Sequence, residues 1–120
     1  MTNLHKSPKK MEGKIRIFAD VREKHSGVVK ALYDEGALIE LKALPVGDFL
    51  CSSRAAVEVK RAPDFVSSII DGRLLRQLKE MKESFERPVL VIEGADEQDL
   101  YSIRNVHPNA IRGMLAAIAV

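Results

Sequence analysis

Tryptophan is absent from the 120 residues, cysteine occurs once, and aromatics make up only 5%. A lone thiol, Cys51, forbids an intrachain disulfide and leaves neither a cysteine-rich zinc site nor a secreted disulfide scaffold to build. No stretch is long and apolar enough to span a bilayer, and the polar opening MTNLHKSPKKMEGK lacks the hydrophobic run of a secretory signal. An excess of one charge is missing too. Nineteen Lys and Arg stand against 17 Asp and Glu, a formal net charge of +2, so charge alone does not announce a nucleic-acid binder. The expectation is an intracellular protein, cytoplasmic or nucleoid, with no membrane partner. At 46% hydrophobic residues it buries one ordinary core.

What is present is ordered along the chain. Lys6, Lys9, Lys10, Lys14 and Arg16 crowd the start against Glu12 alone, so residues 1–13 read as a basic flexible tail and 14–120 as the folded domain. KIRIFAD (14–20) alternates like a strand, Ser26 can cap a helix that Gly36 stops, and ALIELKAL (37–44) alternates again. After the turn at 45–47, DFLCS and AAVEVK form an antiparallel hairpin about Ser53. Pro63 stands at a first helical position, and Gly72 interrupts before RLLRQLKEMKESFE, which carries Leu74, Leu75, Leu78, Met81 and Phe85 on one face. PVLVIEG has the composition of a central strand covered on both sides, and PNAIRGMLAAIAV opens an amphipathic helix. Phe18, Phe49, Phe65 and Phe85 read as core, with no stacking platform for single strands, and Cys51 as structural. The alternation of strands and helices predicts an α/β domain with a mixed sheet.

Within the hairpin, Glu58 and Lys60 are two residues apart and share a strand face, whereas Val57 and Val59 point the other way. Asp48 and Glu58 are equally spaced about the turn, which places two carboxylates roughly opposite each other, about 4.5 to 5.5 Å apart at Cβ. Such a pair needs a positive neighbour. Lys60 alone can complete an ion triad, or a divalent cation can lie between the carboxylates with Lys60 beside it. Oxygen ligands without a Cys or His cluster select Mg²⁺ or Mn²⁺. Two carboxylates, a cation and a lysine are the minimum set for phosphodiester hydrolysis.

The pattern Asp48, then Glu58-Val59-Lys60, is similar to the PD-(D/E)xK nuclease signature, and on its own it is a weak signal. With FADVREKHSG, LPVGDFL, AVEVKRAPDFVSSIIDGRL and RPVLVIEG in this order, the chain resembles the nuclease domain of the XPF/Hef family of structure-specific endonucleases, archaeal type. The resemblance runs from about Ile15 to Gly94 and more loosely onward. It implies a restriction-endonuclease-like fold, a central mixed sheet flanked by helices, here without the usual last strand and helix and without a helix-hairpin-helix domain.

For the site, the resemblance carries the family's G-D-x(n)-E-R-K-x(3)-D onto Gly47, Asp48, Glu58, Lys60 and Asp64. The upstream D-x-R-E falls on Asp20, Arg22 and Glu23, and G-R-L on Gly72, Arg73 and Leu74. Catalytic roles are expected for Asp48, Glu58, Lys60 and Asp20. Metal ligation is expected from Asp48, Glu58, Asp20 and the Val59 backbone carbonyl, with Mg²⁺ or Mn²⁺ as cofactor. Arg22, Glu23, Asp64 and Arg73 support the ligands or meet DNA phosphate. The bland alternatives are a surface pair for Arg22 and Glu23 and a helix-dipole contact for Asp64. Arg73, a cation in a helix first turn, is disfavoured by the dipole, so a phosphate or active-site carboxylate is expected as its partner. Val59 stands where the family has arginine, which removes whatever that arginine touches.

The implied function is Mg- or Mn-dependent cleavage of branched DNA, 3′-flap or fork-like, in repair or stalled-fork processing. The implied partners are branched DNA, a second family subunit in a homodimer or heterodimer, and a sliding clamp or helicase domain in the full-length protein. The alternative is a non-catalytic DNA-binding and dimerisation module.

Overall fold

Two parallel crossovers running in opposite directions build the sheet. The computed structural model describes residues 14–94, 100–102 and 106–119, so the tail expected over 1–13 lies outside the described residues. Strand β1 (Arg16–Asp20) passes through helix α1 (Gly27–Asp34) to β2 (Leu38–Lys42), in parallel register from Arg16↔Leu38 to Asp20↔Lys42. The short β3 (Phe49–Leu50) lies antiparallel between β1 and β4 (Ala55–Arg61). From β4 the chain runs through α2 (Ala62–Ile70) and α3 (Arg73–Ser84) to β5 (Arg87–Glu93), parallel to β4, and α4 (Pro108–Ala119) packs on α2. The spatial order is β2-β1-β3-β4-β5, the mixed α/β sheet expected.

Right-handed crossovers leaving in opposite directions put their helices on opposite faces. Val28, Val29 and Leu32 of α1 therefore pack on Ile17, Ala19, Ile39 and Phe49. On the other face Phe65 and Val66 of α2, Leu74 of α3 and Ile111 of α4 form a second core with Leu90 and Ile92. Local sequence sets the helix starts. Ser26 Oγ accepts the Val29 N–H at 3.2 Å. Pro63 is the second rather than the first residue of α2, which begins at Ala62.

Several expectations need correction. The α3 stripe is Leu74, Leu78 and Met81, spaced i, i+4, i+7; Leu75 is one step round the helix and 57% exposed, and Phe85 lies past the helix end. Among the described residues β5 stands at the sheet edge, not in its centre. Leu90 and Ile92 enter the second core, but Val89 and Val91 are 45% and 43% exposed, because α1 lies over the β1–β2 end of their face. Cys51 is exposed, since β3 stops at Leu50. Phe18 is only half-buried and belongs to neither core. No helix among the described residues is long and apolar enough to cross a membrane.

These packing assignments make a measurable contrast. Phe65→Ala, at a side chain with no exposed surface, is expected to cost about 3–5 kcal/mol in urea unfolding, whereas Leu75→Ala stays within about 0.5 kcal/mol.

Candidate active site

Between the two crossovers the strand order reverses, and α/β sheets gather functional groups at such points, beyond the strand ends. Asp20 closes β1, and Asp48 leads into β3 beside it; the Asp20 N–H donates to the Asp48 carbonyl at 2.8 Å. Glu58 and Lys60 lie on β4, two positions across.

Asp48 does not sit in the ladder opposite Glu58, as simple hairpin counting expects. Pairing ends at Phe49↔Val57, and the Asp48 N–H turns to the Val57 carbonyl at 2.9 Å, so two residues of one strand meet one of the other. The kink frees the carboxylate to act as a ladder partner itself: Asp48 Oδ2 accepts the Val59 N–H at 2.8 Å. A strand residue's N–H and C=O project to the same side, so the Val59 carbonyl also faces Asp48. Gly47 permits the approach. Its φ is +82°, and a Cβ there would stand 3.4 Å from Ala56 Cβ. Gly47→Ala is expected to destabilise by about 1–2 kcal/mol from the left-handed backbone alone and to displace Asp48, lowering both the melting midpoint and metal affinity.

Glu58 and Lys60 share one face, in register with Leu90 and Ile92 of the second core, while Val57 and Val59 pack toward the first. The two charged side chains are 13% and 9% exposed, and Lys60 Nζ stands 3.8 Å from Glu58 Oε2, too long for a hydrogen bond. Burial, and next the Asp48 charge, push the Glu58 carboxyl up to about 7 against the pull of Lys60 and Arg22. Glu23 is raised by burial and then by Asp48 and Asp20, which places its carboxylate within the same field.

Asp20 behaves oppositely. The Arg22 side chain, then the Leu44 and Arg22 N–H groups, hold its carboxyl down at about 2. Oδ1 accepts from Leu44 N at 2.8 Å; Oδ2 accepts from Arg22 N at 3.0 Å and Nε at 2.5 Å. In return Asp20 raises the Arg22 pKa, with Asp48 and Glu58 adding to the effect. Arg22 is 72% exposed along its side chain, so its guanidinium stands at the solvent edge of the carboxylates.

A divalent cation fits this donor set. Burial, and then the Asp48 charge, leave Glu58 holding a proton near neutrality, and a carbonyl points to the same side; a hard cation would replace that proton and offset both effects. No group of three or more His, Cys, Asp or Glu side chains stands ready as a metal site among the described residues. Asp20 in particular has both oxygens engaged. Asp48, Glu58 and the Val59 carbonyl are the groups that would hold such a cation.

The remaining site residues divide. Asp64 is exposed in the first turn of α2. Arg73 meets neither an active-site carboxylate nor an unexplained dipole: Asp71 takes its N–H at 3.0 Å and its Nε at 2.7 Å, capping α3 while neutralising the arginine. The turn uses Gly72 at φ +77°. Sequence reasoning missed the Leu44 N–H that anchors Asp20, and Gln77, whose buried Oε1 lacks a hydrogen-bond partner among the described residues. Clefts of about 400 and 370 Å³ flank α1, and neither is lined by Asp48, Glu58 or Lys60.

Comparison with known proteins identifies the family. The ERCC4 domain model matches residues 19–120. A protein of Methanocaldococcus jannaschii that carries the name of an ATP-dependent RNA helicase is 45% identical over 113 residues, 94% of this chain and 13% of its own length. The 3′-flap repair endonuclease Xpf of Saccharolobus solfataricus is 36% identical over 92 residues, 77% of this chain and 38% of its own length. The chain thus spans well under half of either relative. Among solved structures, XPF from Aeropyrum pernix in complex with DNA superposes with a TM-score of 0.79 at 33% identity, covering 89% of this chain and 52% of that one. The match of the domain model over residues 19–120, together with these identities, leads to one conclusion: the chain belongs to the XPF/Hef family, through its ERCC4 domain.

Proposed function

We propose that this domain is the hydrolytic centre of an Mg- or Mn-dependent endonuclease that cuts one strand of branched DNA, 3′-flap or fork-like, in repair. The observation that carries the reading is the Asp48–Glu58 pair, where burial first and the Asp48 charge next raise Glu58 to about 7, beside the buried Lys60. The name of the Saccharolobus relative and the DNA complex of the Aeropyrum one point to the same substrate class.

When bound, the cation polarises the phosphate and makes water a better nucleophile. The chain's own groups do the rest. Asp48 and Glu58 hold the cation, with Asp20 behind them. Lys60, two residues on from Glu58 on the same strand face, directs its ammonium at the phosphate oxygen where charge develops or at the attacking water. Arg22, exposed and already polarised by Asp20, takes the adjacent phosphate. The extended strand fixes the spacing of Glu58 and Lys60, so little reorganisation accompanies the reaction.

Val59 does not argue against catalysis. Its side chain lies on the sheet face opposite Glu58, in register with Val91, so an arginine there starts away from the carboxylates. Cleavage of labelled fork and 3′-flap DNA with Mg²⁺ or Mn²⁺ tests the reading. Wild type is expected to cut, and Val59→Arg to change the rate by less than about tenfold. An inert wild type that still binds the fork would instead favour the non-catalytic module.

A further inference from the structure

Phe18 is the residue the nuclease reading does not absorb. It alternates with the core residues Ile17 and Ala19, so its ring projects from the same sheet face as Asp20, two residues and about 7 Å further along β1. The helices on that face, α2 and α3, lie over β4 and β5, at the other end of the sheet. The ring is consequently half-buried, with Leu50 beside it in register. Two cations border it: the Arg16 guanidinium carbon is 5.3 Å and Lys42 Nζ 5.1 Å from the ring centroid. Glu40, opposite Phe18 on β2, ties Arg16 at 2.7 Å and, among the described residues, is the only carboxylate directly across from the ring.

We propose that Arg16, Phe18 and Lys42 form a platform for the unpaired strand that adjoins the cut, with phosphates on the two cations and a base on the Phe18 ring. This rests on the nuclease reading and specifies which part of a branched substrate lies where. Charge complementarity selects a polyanion, and the aromatic ring narrows the choice. Bases in a duplex are stacked on one another and cannot reach a ring on a flat sheet face, whereas an unpaired base can. The platform is continuous with Asp20 on one face of β1, and Arg22, in the turn that follows, pairs with that carboxylate, a span that an extended nucleotide covers. The cations that rest on the ring in the free protein move to phosphate when a base replaces them, because base stacking on an aromatic is stronger than an exposed cation–π contact.

The test is fluorescence anisotropy with labelled oligo(dT) and, separately, a blunt duplex, in EDTA so that nothing is cut. Phe18→Leu, which keeps apolar volume but loses the ring, is expected to weaken oligo(dT) binding roughly tenfold with the duplex unchanged, and Phe18→Tyr to bind as wild type. Lys42→Gln, at an exposed side chain, should lower the salt slope for oligo(dT) by about 0.7. Glu40→Gln, which frees Arg16, should tighten it. Unchanged oligo(dT) binding in Phe18→Leu and Lys42→Gln overturns the platform, as does a parallel loss for duplex or no oligo(dT) binding by wild type. The two readings fail separately. Lys60-dependent fork cleavage with Phe18-independent oligo(dT) binding sinks only the platform; absent cleavage with Phe18-dependent binding sinks only the nuclease.

Discussion

Lys60→Ala should lower single-turnover cleavage of a fork substrate by roughly 10²–10³-fold, the loss typical of removing one preorganised electrostatic stabiliser. Lys60 is buried on the face it shares with Glu58, yet its ammonium stands 3.8 Å from that carboxylate and makes no hydrogen bond to it. The amine acts on that carboxylate through its charge and not through a hydrogen bond. Its position makes sense for a group that meets charge arriving with substrate. The variant is accordingly expected to fold, and at about pH 8 to bind Mn²⁺ at least as tightly as wild type, since a positive neighbour of the cation has gone. Loss of cleavage together with loss of metal binding would instead make Lys60 a structural member of an ion triad.

Metal-free protein should lose stability as pH rises from about 4.5 to about 7 and then level off. The sign follows from Glu58. Its carboxyl is raised from an ordinary 4.5 to about 7 in the folded chain, so the native state holds a proton that the unfolded state has released. Stability from this group is complete below the unfolded value and gone above the folded one. Glu23 is raised as well and adds a smaller slope of the same sign; Asp20, held down at about 2, loses its contribution only in strong acid. Glu58→Gln should flatten most of this dependence, and at about pH 8 it should melt higher than wild type while losing metal affinity. Mn²⁺ added to wild type at that pH should restore the stability that ionising Glu58 removes, because it binds only the folded site. Thermal unfolding of both proteins across pH, with and without Mn²⁺, measures each of these. A wild-type profile that rises with pH over this range would contradict the electrostatics described.

Much of this was legible in the sequence, for reasons that can be named. Glu58 and Lys60 fall on one face because strand periodicity admits no other outcome, and Ser26 caps α1 because its hydroxyl stands at the position the orphan N–H needs. Periodicity failed where coverage decides. The run PVLVIEG cannot say whether helices lie on both its faces, and the β5 end of one face stays open among the described residues. Phe18 was misplaced for the same reason: alternation along β1 gives it a face, but only the direction of the crossovers says which end of that face is covered. Asp48 illustrates another limit. Counting from the turn places it opposite Glu58, whereas the kink before β3 sends its carboxylate to the Val59 N–H, a partner that no spacing rule predicts. Arg73 reads as a misplaced cation until Asp71, two residues earlier, is seen to wrap back onto it.

Calorimetric titration of Mn²⁺ into the wild-type domain and into Asp48→Ala tests the central claim most directly. The arrangement of Asp48, Glu58 and the Val59 carbonyl predicts saturable binding to wild type, with proton release below about pH 7 as Glu58 ionises, and none to Asp48→Ala. Absence of binding in wild type, or equal binding in both proteins, would contradict a metal-dependent nuclease centre on this strand pair.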